Sequence, residues 1–430
     1  MAATPPEDGW PYSIFRHWGE SVLQEHGALE LPDAQPSSLS NAIHPLFAAH
    51  KWTVSDNDEY KSPPPSGEFA TPLNGDDWRL LRPSLRLASQ FLAEPSLLPY
   101  WHALLFGPRV PVPRKDIQNT GRGYTGAFAS FTRNYNLYTN SYALSRAELL
   151  STHNGLRLLA DMTAMKFGPS EDSDVWATTS RTFIKPTSPG FRGTPSTITI
   201  NITVLRALRS HHLTPSARLR VQYFLGIALV HELGHAAHNA HTAMNGPPNQ
   251  DGTYNHEQWV HEAFFESDAL AEAGHAWEQN VLNGTQTPFY MNAECKFGLQ
   301  FEKWPALLDY PASIPKRRKR KRWTTVYALP MRFVQKALTD GHWADVSRFG
   351  ASVVRAPKGV GWRLWLKRRQ AVADEDEGVS WDNSSRQRDA DSEGVVWPVA
   401  DVEDVEDIED VEDVEDVEDV LEPLDPMEID

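Results

Sequence analysis

Val230-His231-Glu232-Leu233-Gly234-His235 closes the apolar run Val221-Gln222-Tyr223-Phe224-Leu225-Gly226-Ile227-Ala228-Leu229, and the reading of this stretch decides the fold. In a helix, residues four apart share a face, so His231 and His235 present two imidazoles to one point with Glu232 beside them. Zinc prefers nitrogen and sulfur ligands in a tetrahedron; a catalytic zinc keeps one position open for water, and an adjacent carboxylate can take that water's proton. The spacing therefore assigns His231 and His235 as zinc ligands and Glu232 as general base. Apart from the motif's own residues, everything from Phe224 to Ala237 is uncharged, which suits a buried active-site helix. Thr214-Pro215 supplies an N-cap and a proline at the first helical position, starting the helix about four turns before the motif. The competing reading is a core helix with two satisfied histidines. Against it, a buried Glu between two buried His needs a reason such as a cation.

Upstream, Ile198, Ile200, Ile202 and Val204 alternate with Thr197, Thr199, Asn201 and Thr203, which predicts a strand with one face buried and one wet in the segment from Thr182 to Thr203. A small sheet just before an H-E-x-x-H helix is the layout of zincin peptidases, where an edge strand runs along the substrate cleft and pairs with an extended peptide. The chain resembles zincins as a class in this respect.

The third ligand has three candidates. Nine of the 16 histidines lie between His211 and His275. His241 stands ten residues after His231, where metzincins and WLM-domain proteases place a third histidine, but the turn that those families mark with glycine falls here on His238, followed by Asn239-Ala240. In a gluzincin the third ligand is instead a glutamate on a following helix, and Glu262 and Glu272 both qualify. Ser267 can cap a helix that begins at Asp268 and ends at Asn283-Gly284. On it Glu272 has the small neighbours Ala269, Ala273 and Ala276, which would let the motif helix come close. Glu262 has Glu266 four residues on, as thermolysin-like sites keep an acid four after the ligand, but its neighbours Trp259 and Phe265 are bulkier. Packing favours Glu272.

The order of a strand, H-E-x-G-H, Glu262-Ala263-Phe264-Phe265, Ala271-Glu272-Ala273-Gly274-His275-Ala276-Trp277-Glu278, Asn283-Gly284 and Tyr327-Ala328-Leu329-Pro330-Met331 resembles a group of uncharacterised zincin-like proteins of filamentous fungi over roughly residues 195–345. The resemblance implies a gluzincin-like zinc site and supplies no substrate.

Elsewhere, residues 10–30 predict a short amphipathic helix and 52–77 a loop. Apolar spacing from Asp77 to Leu105 predicts two helices split near Glu94-Pro95, and helical spacing returns from Leu144 to Phe167. Residues 119–143 mix glycine, arginine and tyrosine; short strands are the stronger reading, stacking of single-stranded bases the weaker. Phe333, Val334, Leu338 and Trp343 suggest another helix, and the folded body ends near residue 372.

With 40% hydrophobic residues the composition is globular. The first residues have neither the basic start nor the apolar core of a signal peptide, and no apolar run approaches membrane-spanning length. The single cysteine, Cys295, rules out internal disulfides and cysteine-based zinc clusters, in keeping with a reducing compartment. An intracellular protein is expected, its sequons at Asn201, Asn283 and Asn383 accidental. Of the 57 acidic residues, 17 lie in residues 401–430, which hold no Lys or Arg; the first 400 residues keep 40 acids against 41 bases. Asp-Val-Glu recurs there with period three, matching neither helix nor strand, and reads as a disordered acidic tail. The seven consecutive bases Lys316, Arg317, Arg318, Lys319, Arg320, Lys321 and Arg322 read as a nuclear-import signal contacting an importin, or as a polyanion contact.

These readings predict an α+β, mostly helical zincin-like metallopeptidase domain with a small sheet before the H-E-x-x-H helix. Residues 1–180 form a helical N-terminal part of the body, 181–371 the zinc domain with its basic insertion 316–322, and 372–430 a disordered linker and tail. The expected activity is zinc-dependent hydrolysis of peptide or protein substrates with ligands His231, His235 and Glu272, base Glu232, and an oxyanion donor among Tyr254, His256, His261, His275 and Tyr290. Two other classes compete: an inactive zincin-like binding protein, against which the intact Glu232 argues, and a nuclear acidic-tail adaptor or chaperone.

Overall fold

The motif helix is the axis on which the other elements pack. A computed structural model describes residues 20–21, 23–55, 71–112, 129–138, 140–169, 175–181, 191–242, 261–266, 268, 270–289, 293–304, 323–358 and 361–365. The eight α-helices long enough to bound among these residues are α1 (Gly75–Ala93), α2 (Leu98–Phe106), α3 (Arg146–Leu159), α4 (Ile202–Arg209), α5 (Pro215–His241), α6 (Ala273–Leu282), α7 (Met331–Ala337) and α8 (Asp340–Phe349). Strands are β1 (Trp52–Val54), β2 (Thr71–Pro72), β3 (Val110–Pro111), β4 (Ala129–Phe131), β5 (Thr163–Gly168), β6 (Ala177–Arg181), β7 (Ser196–Asn201), β8 (Phe264–Phe265), β9 (Thr285–Pro288), β10 (Leu299–Glu302), β11 (Trp323–Ala328) and β12 (Gly361–Trp365). The architecture is mixed α+β with small sheets.

The five-stranded sheet has the order β2-β1-β5-β7-β6. Its centre, β1, β5 and β7, is parallel, while β6 runs antiparallel to β7 at the edge. A four-stranded antiparallel sheet, β12-β11-β10-β9, and a small β3-β4-β8 sheet complete the molecule. Ile198 and Ile200 of β7 are fully buried. Helix α5 starts where Thr214-Pro215 predicts, the Thr214 side chain accepting a hydrogen bond from Ala217 N. It is buried on nearly every side from Ser216 to Ala240, with β6 and β7 lying against it. That envelopment explains why an amphipathic stripe is missing from its sequence: a helix packed all round needs no polar face. One apolar core runs from Leu39 to Ala356. Strands from both sides of residue 181 share one sheet, so the N-terminal part and the motif-bearing part form one body.

Several elements differ from expectation. The 144–167 helix stops at Leu159, and Thr163–Gly168 is the strand β5, where Met165 and Phe167 point into the core on alternate positions. Ile202 and Val204 leave the strand: Asn201 turns the chain by accepting from Thr203 N, and α4 begins. Phe333 to Trp343 is two helices, α7 and α8, not one. The split at Glu94-Pro95 stands as read, with a short 3-10 turn between α1 and α2. Residues 10–19 of the predicted N-terminal helix, residues 56–70, Thr182, Tyr254, His256, Tyr290, the basic run 316–322 and the tail lie outside the described residues. No helix among the described residues is long and apolar enough to cross a membrane.

Candidate metal centre

On the face of α5 that meets the start of α6, His231 and His235 turn both Nε2 atoms toward Glu272. The two Nε2 atoms are 3.3 Å apart. Glu272 Oε1 lies 3.4 Å from His231 Nε2 and 2.7 Å from His235 Nε2. A tetrahedral zinc with bonds of about 2.0–2.1 Å holds its donors roughly 3.3 Å apart, which two of these separations meet; the third is an ordinary imidazole–carboxylate hydrogen bond. The side chains are 16–23% exposed, so the cluster is open to solvent rather than sealed.

Each imidazole is held from behind. His231 Nδ1 donates to Glu278 Oε1 at 2.7 Å, and His235 Nδ1 donates to Glu262 Oε1 at 2.5 Å. Both carboxylates are anchored in turn, Glu278 Oε2 accepting from Gln286 N and Glu262 Oε2 from Ala273 N, each at 2.7 Å. Hydrogen bonds of this kind fix which ring nitrogen faces the metal and raise its basicity.

Glu272 is the N-cap of α6 in an extended conformation, not a residue of the helix interior as the Ser267-Asp268 start predicts. Its Oε2 accepts from His275 N, leaving Oε1 for the histidines. Two glycines let α5 and α6 meet. A Cβ on Gly274 would sit 2.4 Å from His231 Cδ2, and one on Gly234 would press on the Ala273 backbone at 3.2 Å.

Burial alone would drive the His231 imidazole neutral, yet Glu272 and Glu278 outweigh it and lift its pKa to about 10. His235 is held well above the usual value in the same way, against its burial, by Glu262 and Glu272. Burial pushes the Glu272 carboxyl up, but His231, His235 and His275 bring it well below the ordinary range. Without a metal, then, the cluster is two imidazolium ions among carboxylates, a charge arrangement in which one divalent cation can replace two protons.

Glu232 stands apart from this convergence. It is 6% exposed, and its Oε2 accepts from Thr179 Oγ1 of β6 at 2.6 Å. His275 packs its ring on His231 at 4.6 Å between centroids and on Trp304 at 4.4 Å.

The other sequence candidates are placed elsewhere. Helix α5 continues unbroken through His238-Asn239-Ala240, so His241 stays on its last turn and joins no cluster with His231 and His235. Glu266 does not orient a histidine; it forms a bidentate pair with Arg133. Glu262 orients His235 rather than joining the three converging donors. The role of Glu278 was missed from sequence, although its six-residue spacing from Glu272 on a short helix was in view. A surface cavity of about 650 Å³ lined by His50, Lys51, Asn154, Arg157 and Asp161 shares no residue with the centre. No protein-family model, curated protein or solved structure matches the chain.

Proposed function

We propose that the chain is a zinc-dependent peptidase of the gluzincin type, with His231, His235 and Glu272 holding the metal and Glu232 as general base. The observation that carries this reading is the convergence of His231 Nε2, His235 Nε2 and Glu272 Oε1, with Glu232 next to His231 in the chain and outside the converging set. Zinc, when bound, polarises the scissile carbonyl and acidifies the attacking water. Glu232 would take that water's proton and return it to the leaving amine, and Thr179 fixes its carboxylate by donating to Oε2. Glu262 and Glu278 hold the two imidazoles as neutral donors at Nε2 when the metal is in place. Strand β6 pairs on one side with β7 and carries Thr179, which suits an extended peptide added along its other side. The zincin-like reading of the fold rests on the same elements: a sheet with a parallel centre and antiparallel edge strands, β6 and β7 of which lie against the H-E-x-x-H helix.

The test is metal analysis and protein hydrolysis on the purified full chain. Wild type is expected to hold one zinc. Glu232→Gln keeps it and loses about 10²- to 10⁴-fold in turnover of a fluorescent casein. Glu272→Ala releases the metal and His241→Ala does not. Metal-free wild type from zinc-replete cells overturns the reading.

A further inference from the structure

Residues 270–272, which deliver Glu272, are neither helix nor strand, yet its carboxylate must be placed to within a fraction of an ångström. What holds it is the peptide unit on either side of Ala273. Ala273 N donates to Glu262 Oε2 at 2.7 Å, and Ala273 O accepts from Tyr100 Oη at 2.6 Å. Tyr100 comes from α2, 173 residues earlier in the chain, and is completely buried. Its ring is wedged edge-on among Trp101, Phe131 and Phe265 at centroid distances of 5.9, 6.0 and 5.0 Å. A hydroxyl on a ring packed this way cannot follow a drifting carbonyl; the carbonyl is brought to it.

We infer that Tyr100 is a positioning residue of the metal centre: its hydroxyl fixes the first peptide of α6, and through it the side chain of Glu272 and the carboxylate of Glu262. The inference rests on the metal-site reading above and extends it to a residue that touches neither metal nor substrate. The loss of the hydroxyl frees Ala273 to rotate, which loosens one ligand and the support of another together. Glu278 and His231 lie on the far side of the Gly274 contact and keep their geometry.

The experiment compares zinc affinity, by chelator competition on full-length protein, with thermal stability. Tyr100→Phe keeps the ring and its packing. Zinc binding is expected to weaken about tenfold, the lower end for loss of an outer support. Thr163→Val is the matched control: it also removes a buried hydroxyl that donates to a backbone carbonyl, Leu159 O at 2.9 Å, away from the centre. It is expected to lower Tm by a similar amount and leave zinc affinity unchanged. Equal zinc affinity in wild type and Tyr100→Phe overturns the inference, as does an equal loss in Thr163→Val. If Tyr100→Phe does not fold, Phe265→Leu replaces it, slackening the ring while keeping the hydroxyl, with the same two outcomes. Wild type that binds no zinc overturns the metal-site reading itself, a result distinct from either.

Discussion

Two buried histidines in this molecule sit at opposite ends of the titration range. His342 is 2% exposed on α8, with neither ring nitrogen hydrogen-bonded and its ring edge-on to Phe333 and Trp343. Burial, helped by Lys336, lowers its pKa to about 4. His231 is mostly buried too, its side chain 16% exposed, but carboxylates face both of its nitrogens and its pKa stands at about 10. Burial is common to the two; the carboxylates are what differ. A histidine filling space in an apolar core gives up its proton, whereas one faced by carboxylates keeps it.

The comparison breaks most sharply at Glu278. Glu278→Ala leaves His231 Nδ1 and Gln286 N without their acceptor. It is expected to cost the metal-free protein about 3–5 kcal/mol in chemical denaturation, the range for removing one partner of a buried ion pair. A loss below about 1 kcal/mol would show that His231 is held by Glu272 alone.

The contrast sharpens at acid pH. The folded pKa of His342, about 4, lies below the unfolded value of 6.5, so protons favour the unfolded chain. Stability from this residue is present above pH 6.5 and lost as pH falls toward 4. His342→Phe should remove roughly 2 kcal/mol of that loss, read as a flatter acid limb in denaturation midpoints from pH 7 to 4. Superimposable limbs would sink the assignment.

The smallest effect is expected at Glu262, on an irregular segment and 22% exposed at its side chain. Glu262→Gln keeps an acceptor for Ala273 N and removes the charge that His235 faces. Zinc affinity should fall about tenfold with little change in fold; an unchanged affinity would mean that His235 does not depend on Glu262 for its metal-binding geometry.

What could be read in the sequence follows the reach of the interactions involved. His231, Glu232 and His235 share one helical face by spacing alone, and Thr214-Pro215 marks where that helix starts. Glu272 could be favoured from its small neighbours, but not its place as N-cap. Ser267 obeys the capping rule better than Glu272 does, yet the helix starts at Ala273, where Gly274 lies against the His231 ring. Glu278 and Glu262 lie 47 and 27 residues, respectively, from the histidines they hold, separations that no local period encodes. The overrun of the strand into Ile202 and Val204 has a local origin instead. Alternation continues past Asn201 to Val204, but the Asn201 side chain, accepting from Thr203 N, caps a helix there.

The close contact of Gly274 with the His231 ring turns three separate residues into one transferable signature. Since a Cβ there would overlap the imidazole, a chain that shares this centre should carry glycine two positions after the capping glutamate and a second glutamate four positions after that glycine. H-E-x-G-H followed downstream by E-x-G-x-x-x-E is thus a pattern in which the glycines have a steric reason and Glu272 and Glu278 a contact with the histidines. Distant relatives too diverged to align can be sought with it, and a chain with alanine at the Gly274 position should be rejected even when both histidines are in place.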